Sequence, residues 1–239
     1  MVANYLIENG GWYGVNLYEV NHASLQNIYA SNIKHLGVHS GADTAGRNIY
    51  NTYRDIYTWD NPEQGFYDRG GYADQMLERH NVYDNIQAWD NGTNGIYFSF
   101  VNGGSLTNSM AHGNHLYGIY LYKVYNFTIE NCLAVSNDES GDEIGVHIYK
   151  CDNINLTNVF VKNNYTGINL SDCNNIALTS CQSYDDRETP LQRFGLQLIG
   201  TNTGISLLNC KLTPNKSGDI YNPAGAVVTV ITDKMLAKF

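Results

Sequence analysis

A four-residue motif recurs along this sequence: a glycine, an aliphatic residue or Phe, a variable residue, and usually a second apolar residue. Successive copies lie 22 to 30 residues apart, so one structural unit repeats with insertions. The glycines that open the eight copies are Gly14, Gly37, Gly65, Gly95, Gly118, Gly145, Gly167 and Gly195. A period in this range is the signature of a solenoid, in which each unit contacts only its neighbours.

Small polar residues form a second series, one in each repeat, downstream of the glycine. They are Asn27, Asp55, Asn85, Asn108, Asn131, Asn158, Ser180 and Asn209. Each repeat therefore contains about three short segments in which apolar and polar residues alternate, separated by turns. With only four prolines and no long amphipathic run, the chain is predicted to be all-β.

Repeats of this length suit a coil of three short strands, stacked at about 4.8 Å per coil. We expect a single domain over residues 1–239, with about eight coils. Residues 1–12 are expected to form a partial first strand and cap, and residues 219–239 a last strand and C-terminal cap, because solenoids need covered ends. The short N-terminal cap is compatible with a chain that is part of a longer protein.

Composition excludes some partners. The net charge of −9 argues against nucleic acid, and the sequence contains no apolar run long enough for membrane insertion. The five cysteines fall on repeat positions and not at metal-ligand spacings, so they are predicted to be small buried side chains. They are Cys132, Cys151, Cys173, Cys181 and Cys210.

The variable residue of the motif points outward if its neighbours point inward, because side chains alternate along a strand. These residues, here called the central row, are Asn16, His39, Tyr67, Tyr97, Tyr120, His147, Asn169 and Gln197. The next outward position, two residues on, gives a second row: Tyr18, Gly41, Arg69, Ser99, Tyr122, Tyr149, Ser171 and Ile199. Aromatic, imidazole and guanidinium groups are concentrated in the middle repeats.

A strip of such groups about 20 Å long matches several sugars of a linear glycan. Aromatic rings cover the apolar faces of sugars, and polar side chains bind their hydroxyls. The predicted substrate-binding residues are His39, Tyr67, Tyr97, Tyr122 and Asn169. Insertions within residues 40–47, 68–80, 138–143 and 185–190 are expected to flank this sheet and wall it into a groove.

Coils such as Gly118-Ile119-Tyr120-Leu121, together with the asparagine series, resemble the pectin-lyase-like superfamily of carbohydrate-active proteins. The resemblance implies a right-handed single-stranded parallel β-helix and an extracellular or cell-surface location. Residues 13–19 are similar to a Tyr-Gly-Phe-Asp-Pro-His-Glu segment of mannuronan C5-epimerases. Asn16 and Tyr18 replace the catalytic Asp and His of that segment, which argues against epimerase chemistry at this coil.

The preferred hypothesis is a polysaccharide lyase or epimerase that acts on a uronate-containing glycan. Abstraction of the proton next to a carboxylate needs a base, an acid and a positive group that stabilises the enolate. His147, Tyr120 and Tyr149 are the candidates for proton exchange. Arg69 is the candidate for contact with the carboxylate.

The alternative hypothesis is a glycoside hydrolase with paired carboxylates. Its acids would come from a loop beside the groove, with Asp68 across from it. The loop residues are Asp138, Glu139, Asp142 and Glu143. The same cluster is a candidate Ca²⁺ site, because this hard cation prefers carboxylate oxygens; no other cofactor is predicted.

The third hypothesis is a non-catalytic module that binds a glycan or builds a surface. An apolar stripe on the other strands contains Trp59, Trp89, Leu133 and Phe160. Such a stripe is unfavourable in water. We therefore expect it to contact a partner chain or a domain outside this sequence.

Overall fold

The computed structural model describes residues 2–42, 47–71, 77–137, 141 and 143–231. They form two parallel β-sheets, between which the chain alternates. The nine-stranded sheet contains, in spatial order, β2 (Tyr13–Tyr18), β4 (Leu36–Gly41), β6 (Phe66–Arg69), β8 (Ile96–Ser99), β11 (Tyr117–Tyr122), β14 (Ile144–Tyr149), β17 (Thr166–Ser171), β20 (Phe194–Ile199) and β22 (Gly218–Tyr221).

The second sheet has fourteen strands and covers the remaining sides of the coils. Its longer strands are β1 (Val2–Glu8), β3 (Ser24–Ser31), β5 (Thr52–Trp59), β7 (Leu77–Trp89), β9 (Val101–Thr107), β12 (Tyr125–Glu130), β15 (Asp152–Thr157), β18 (Asn174–Thr179), β21 (Thr203–Leu208) and β23 (Val228–Ile231). A corner branch holds β10 (Met110–His112), β13 (Leu133–Val135), β16 (Phe160–Lys162) and β19 (Gln182–Tyr184).

The predicted all-β solenoid is confirmed, and it has nine turns where about eight were expected. Each of the eight motifs lies on one strand of the nine-stranded sheet, and β22 adds the ninth turn. No helix among the described residues is long and apolar enough to cross a membrane.

The motif glycine is explained by the close approach of successive coils. A Cβ atom added to Gly118 would lie 2.6 Å from the carbonyl oxygen of Gly145 on the next coil. The residue that follows each glycine points inward: Val38, Phe66 and Ile119 are fully buried in the core. The motif therefore encodes close stacking and an apolar interior together.

The second polar series marks a corner at which the backbone turns in the left-handed region. Asn27, Asn131 and Asn158, for example, have φ angles of 53°, 53° and 51°. Asn and Asp tolerate this conformation better than other side chains with a Cβ. The small residue that follows packs inside, and Cys132 and Cys181 occupy this place as free, buried thiols. The prediction of small buried cysteines is confirmed, although Cys210 is only partly buried.

A buried amide ladder stabilises the corner that leads into the nine-stranded sheet, and the sequence analysis did not find it. In each step a side-chain nitrogen donates to the amide oxygen of the next coil: Asn61 to Asn91 at 2.9 Å, Asn91 to Asn114 at 2.9 Å, Asn114 to Asn137 at 3.0 Å and Asn137 to Asn164 at 3.0 Å. The same oxygens accept backbone N–H groups. The ladder satisfies polar groups that would otherwise be buried without partners.

Candidate functional site

The central row lies in register on neighbouring strands of the nine-stranded sheet. Its residues pair across consecutive strands as Asn16, His39, Tyr67, Tyr97, Tyr120, His147, Asn169 and Gln197, and Tyr221 extends the row. The second row is in register beside it, from Tyr18 to Ile199. The predicted alignment of outward side chains is therefore present in the fold.

The rings of the central row stack face to face. The centroid distances are 4.6 Å for Tyr67 and Tyr97, 4.7 Å for Tyr97 and Tyr120, and 4.9 Å for Tyr120 and His147. Stacked neighbours therefore cover the ring faces within this ladder, which differs from the expectation that the rings would lie against sugar faces. What the ladder offers to a ligand is ring edges and hydroxyl groups.

Burial determines the protonation of this ladder. It raises the pKa of Tyr97 and of Tyr120 above the usual tyrosine value, so both hydroxyls stay protonated. Tyr120 is therefore a hydrogen-bond donor and a poor base. Burial also lowers the pKa of His147 to about 4, so its imidazole is neutral at pH 7. Its Nδ1 atom is buried and has no hydrogen-bond partner among the described residues.

The four predicted catalytic residues divide into two groups. His147 and Tyr149 lie on β14, and Tyr120 lies on the adjacent β11. Arg69 lies on β6, three strands from β14, which is about 14 Å at the usual strand spacing. One sugar cannot contact Arg69 and His147 at the same time.

Two lysines lie beside the aromatic rings of the second row on β11 and β14. Tyr122 and Tyr149 stack with a centroid distance of 5.5 Å. The ammonium groups of Lys123 and Lys150 lie 5.6 Å and 4.9 Å from the centres of these two rings. Asn169 is buried. Its Nδ2 donates to Oε1 of Gln197 at 2.8 Å, and its Oδ1 accepts from Oγ of Ser171 at 2.8 Å. Its polar atoms thus already have protein partners.

A cleft of about 500 Å³ opens at the N-terminal end of the central row. Gly41 forms its hollow, because this second-row residue lacks a side chain between Tyr18 and Arg69. A Cβ atom on Gly41 would lie 3.0 Å from Cε1 and 3.2 Å from Nε2 of His39. The other lining residues include Tyr13, Asn16, Glu63, Tyr67 and Tyr97.

His39 borders this hollow with a neutral imidazole. Its Nδ1 atom lies 2.8 Å from Oδ1 of Asn16, and an amide oxygen only accepts hydrogen bonds. This assigns the proton to Nδ1 and leaves the lone pair on Nε2, which has no hydrogen-bond partner among the described residues. Burial lowers the pKa of His39 to about 4, with Arg69 contributing in the same direction against the opposing effect of Asp68.

An acidic side chain faces the cleft from the turn before β6. Oε1 of Glu63 lies 2.7 Å from Nδ1 of His35, and both residues line the cleft. The sequence analysis missed these two residues. Each precedes a motif glycine by two positions, so a third row read at that offset would have included them.

Asp68 does not line the groove, although the hydrolase hypothesis expected it to. Asp68 is fully buried and points into the coil, because it lies between the outward Tyr67 and Arg69 on β6. Its partner in the structure is the buried Arg79. The expectation that Asp68 borders the groove is therefore wrong.

The predicted acidic loop is only partly described. Asp138, Glu139 and Asp142 lie outside the described residues, so the Ca²⁺ site proposed there stays a prediction. Glu143 is buried, and its Oε2 accepts the N–H of Gly141 at 2.6 Å. The described residues contain no group of three His, Cys, Asp or Glu side chains that could hold a metal ion.

Of the expected groove walls, residues 185–190 form a turn closed by Arg187 and Asp185 at 2.6 Å.

The apolar stripe occupies the fourteen-stranded sheet, away from the cleft. The rings of Trp59 and Trp89 stack with a centroid distance of 5.0 Å and an interplanar angle of 1°. Leu133 and Phe160 pair on neighbouring strands of the corner branch, and Phe160 is 39% exposed. Strand β10 lies between these two pairs, and a partner for the stripe stays a prediction.

The family that fits this architecture is the right-handed β-helix region. Its sequence model matches residues 1–165 and 77–233. The chain belongs to this family. The resemblance noted in the sequence to right-handed β-helix proteins is confirmed. A comparison with curated proteins gives no match.

Three solved structures share the fold at low sequence identity. The enzymatically active domain of tailspike protein 2 of bacteriophage CBA120 is 11% identical, with a TM-score of 0.54; the match covers 95% of this chain and 42% of that domain. The periplasmic alginate epimerase AlgG is 15% identical, with a TM-score of 0.51, 92% of this chain and 48% of AlgG being covered.

The third is the A-module of the mannuronan C-5 epimerase AlgE4 of Azotobacter vinelandii. It is 12% identical, with a TM-score of 0.55, and the match covers 91% of this chain and 64% of the module. The chain thus spans less than two thirds of each of these three structures. At these identities the likeness extends to the fold alone.

Proposed function

We propose that the protein binds a linear, uronate-containing polysaccharide along the central and second rows and modifies it by proton abstraction, as a lyase or an epimerase. The observation that carries the proposal is the cleft in which the neutral imidazole of His39 and the cationic side chain of Arg69 flank the hollow at Gly41. A base next to a fixed positive charge is what removal of the proton next to a carboxylate requires.

The reaction starts with a sugar carboxylate against Arg69 and its C5–H bond directed at Nε2 of His39. Nε2 takes the proton, and Asn16 supports the developing imidazolium by accepting from Nδ1. In a lyase the electron pair forms the C4–C5 double bond and the C4–O bond breaks, with a proton supplied to the leaving oxygen. In an epimerase a proton returns to C5 from the opposite face.

Tyr67 is the proposed proton donor in this cleft. Its ring stacks on Tyr97, and its hydroxyl is 3.0 Å from Oγ of Ser99. A tyrosine hydroxyl can protonate a leaving oxygen and be reprotonated by solvent. The remaining ladder, with Tyr120, Tyr122, His147 and Tyr149, is proposed to bind further sugars by hydroxyl groups and ring edges. This moves the reacting centre from His147 to His39, because only His39 is near Arg69.

The alginate epimerases among the solved structures support a uronate substrate, since their fold spans most of this chain. An extracellular, periplasmic or cell-surface location follows from such a substrate as a further part of the proposal. A glycoside hydrolase is less well supported, because among the described residues Glu63 is the only carboxylate that lines the cleft and hydrolysis usually needs two.

The test is incubation of the protein with alginate, polygalacturonate and neutral glycans, with three measurements. A rise in absorbance at the unsaturated-uronate band together with new reducing ends identifies a lyase. Exchange of the C5 proton for solvent deuterium without chain cleavage identifies an epimerase. Reducing ends alone would instead identify a hydrolase, and binding with no reaction on any glycan would identify a non-catalytic module; both results would contradict the proposal.

A further inference from the structure

A buried ion pair lies directly beneath the floor of the cleft. Asp68 and Arg79 are both fully buried, and Nη2 of Arg79 lies 3.4 Å from Oδ1 of Asp68. Asp68 points inward from β6, between the two outward cleft residues Tyr67 and Arg69. The ion pair is therefore one residue away from the cleft on the opposite side of the same strand.

A β-bulge accompanies the inward turn of Arg79. The pairing of β7 with β9 shifts register between Glu78 and Asn81, and His80 within this interval has a φ of 49°. Bulges of this kind redirect a side chain and are common beside functional sites. The local backbone thus departs from regular pairing where a charged side chain enters the core.

The guanidinium of Arg79 binds backbone carbonyl groups from two segments that border the cleft. Nη1 donates to the carbonyl oxygens of Arg47 at 2.9 Å and Asn48 at 3.2 Å. Nη2 donates to the carbonyl oxygen of Arg69. One side chain therefore connects the end of β6 with the segment that follows the insertion after β4.

The carboxylate of Asp68 connects the same point to β4. It accepts from Oγ of Ser40 at 2.9 Å, from Nδ2 of Asn81 at 3.2 Å and from the hydroxyl of Tyr83. Ser40 lies between His39 and Gly41, whose positions define the hollow. Hydrogen bonds from one ion pair thus reach both strands that carry the proposed base and the proposed carboxylate ligand.

We propose that Asp68 and Arg79 are positioning residues, which hold His39 and Arg69 at the spacing that a uronate needs. This rests on the function proposed above. Stability alone does not explain the pair, because a buried ion pair gains little over apolar residues of similar size. Fixed geometry at a binding site does explain it, since small displacements of binding groups reduce affinity strongly.

The experiment compares a charge-free double variant, Asp68→Asn with Arg79→Met, with Leu178→Ala, a core substitution on β18 far from the cleft. The probes are tetrasaccharides of mannuronate and of galacturonate. We expect the double variant to lose on the order of tenfold or more in affinity, and Leu178→Ala to keep wild-type affinity although it is less stable. Equal affinity of the double variant and the wild type would overturn the proposal.

A second variant and a measurement without ligand complete the test. Ser40→Ala keeps the ion pair but removes its contact with β4, and we expect reduced affinity here too. The backbone N–H of Ala42 donates to the carbonyl oxygen of Arg69 at 3.3 Å. Its hydrogen exchange should accelerate at least several-fold in the double variant, with amides of β17 unaffected.

The hydrogen-exchange measurement separates the two proposals. If the wild type binds neither tetrasaccharide but Ala42 exchanges faster in the double variant, the ion pair still positions the cleft and the proposed ligand is wrong. If the wild type binds and the double variant changes neither affinity nor exchange at Ala42, the positioning role is wrong and the proposed function stands.

Discussion

The imidazole of His39 donates from Nδ1 to the side-chain oxygen of Asn16, 2.8 Å away on the preceding strand. In the similar epimerase segment a catalytic Asp stands at the position of Asn16. Here the amide instead fixes the tautomer of its neighbour, so the proposed base is one coil further along the solenoid. The relationship makes Asn16 the first residue to test.

Asn16→Ala removes the acceptor that holds the proton on Nδ1. We expect kcat on the responsive glycan to fall on the order of tenfold, as for other residues that orient an imidazole, with a smaller effect on KM. Asn155→Ala, at an exposed position on β15 of the fourteen-stranded sheet, is the matched control and should keep the wild-type rate. An unchanged kcat in Asn16→Ala would show that the hydrogen bond from Nδ1 of His39 to Asn16 does not contribute to the reaction.

Gly41→Ala tests the hollow itself. The added Cβ would lie 3.0 Å from Cε1 of His39, so it would occupy the space beside Nε2 and push against the imidazole. We expect affinity for uronate tetrasaccharides to drop at least tenfold. The melting temperature should change little, because the reduced freedom of the unfolded chain offsets the contact with His39. Ser206→Val, on β21 of the fourteen-stranded sheet, should leave binding intact, and calorimetric titration of both variants decides the point.

Arg69→Gln tests the selection of a charged ligand. Loss of the guanidinium should reduce affinity for uronate tetrasaccharides on the order of tenfold to a hundredfold, and should also reduce the salt dependence of binding. Affinity for a neutral tetrasaccharide should not change. Lys211→Gln removes an equal charge at an exposed position beside the corner branch and serves as control. An equal loss in both variants would point to nonspecific attraction.

The buried His39 and the half-buried His147 predict a loss of stability in acid. Burial lowers the pKa of both His39 and His147 to about 4 from 6.5, so between these values the unfolded chain binds more protons than the folded one. The contribution of the two histidines to stability is therefore fully present above pH 6.5 and falls as the pH drops toward 4, with a loss of about 2 kcal/mol for each histidine at pH 5.

Urea unfolding at pH 7 and pH 5 measures this effect. His147→Gln should show a smaller difference between the two pH values than the wild type does. His112→Gln, at an exposed position, should show the full difference. If His147→Gln keeps the full pH dependence, the buried neutral imidazole is not its source.

The coil and the position of the central row could be predicted from the sequence, because one motif specifies close stacking, an apolar interior and an outward residue in every turn. The sequence could not reveal that the rings of Tyr67, Tyr97 and Tyr120 cover each other, since stacking depends on side-chain rotamers and on the spacing of the coils. Nor could it show the separation of Arg69 from His147. The two positions look close in a repeat alignment, although β8 and β11 lie between their strands.

The amide ladder was hidden for a different reason. Asn91 and Asn114 lie four residues before a motif glycine, but Asn137 lies eight before Gly145 because the insertion of residues 138–143 intervenes. Many other asparagines stand at exposed left-handed corners. Only the structure separates the two classes: the ladder residues are buried and hydrogen-bonded to each other, whereas Asn131 is exposed with a φ of 53°.

Asn114→Ala should separate these two roles of asparagine. Oδ1 of Asn114 accepts from both the backbone N–H and Nδ2 of Asn91, at 3.1 Å and 2.9 Å. Its loss leaves buried donors without a partner, which we expect to lower the free energy of unfolding by about 3 kcal/mol. Asn131→Gly keeps a residue suited to the left-handed region, so its cost should stay below about 1 kcal/mol. Urea denaturation of both variants gives the comparison, and similar losses in the two would mean that the ladder adds nothing beyond backbone conformation.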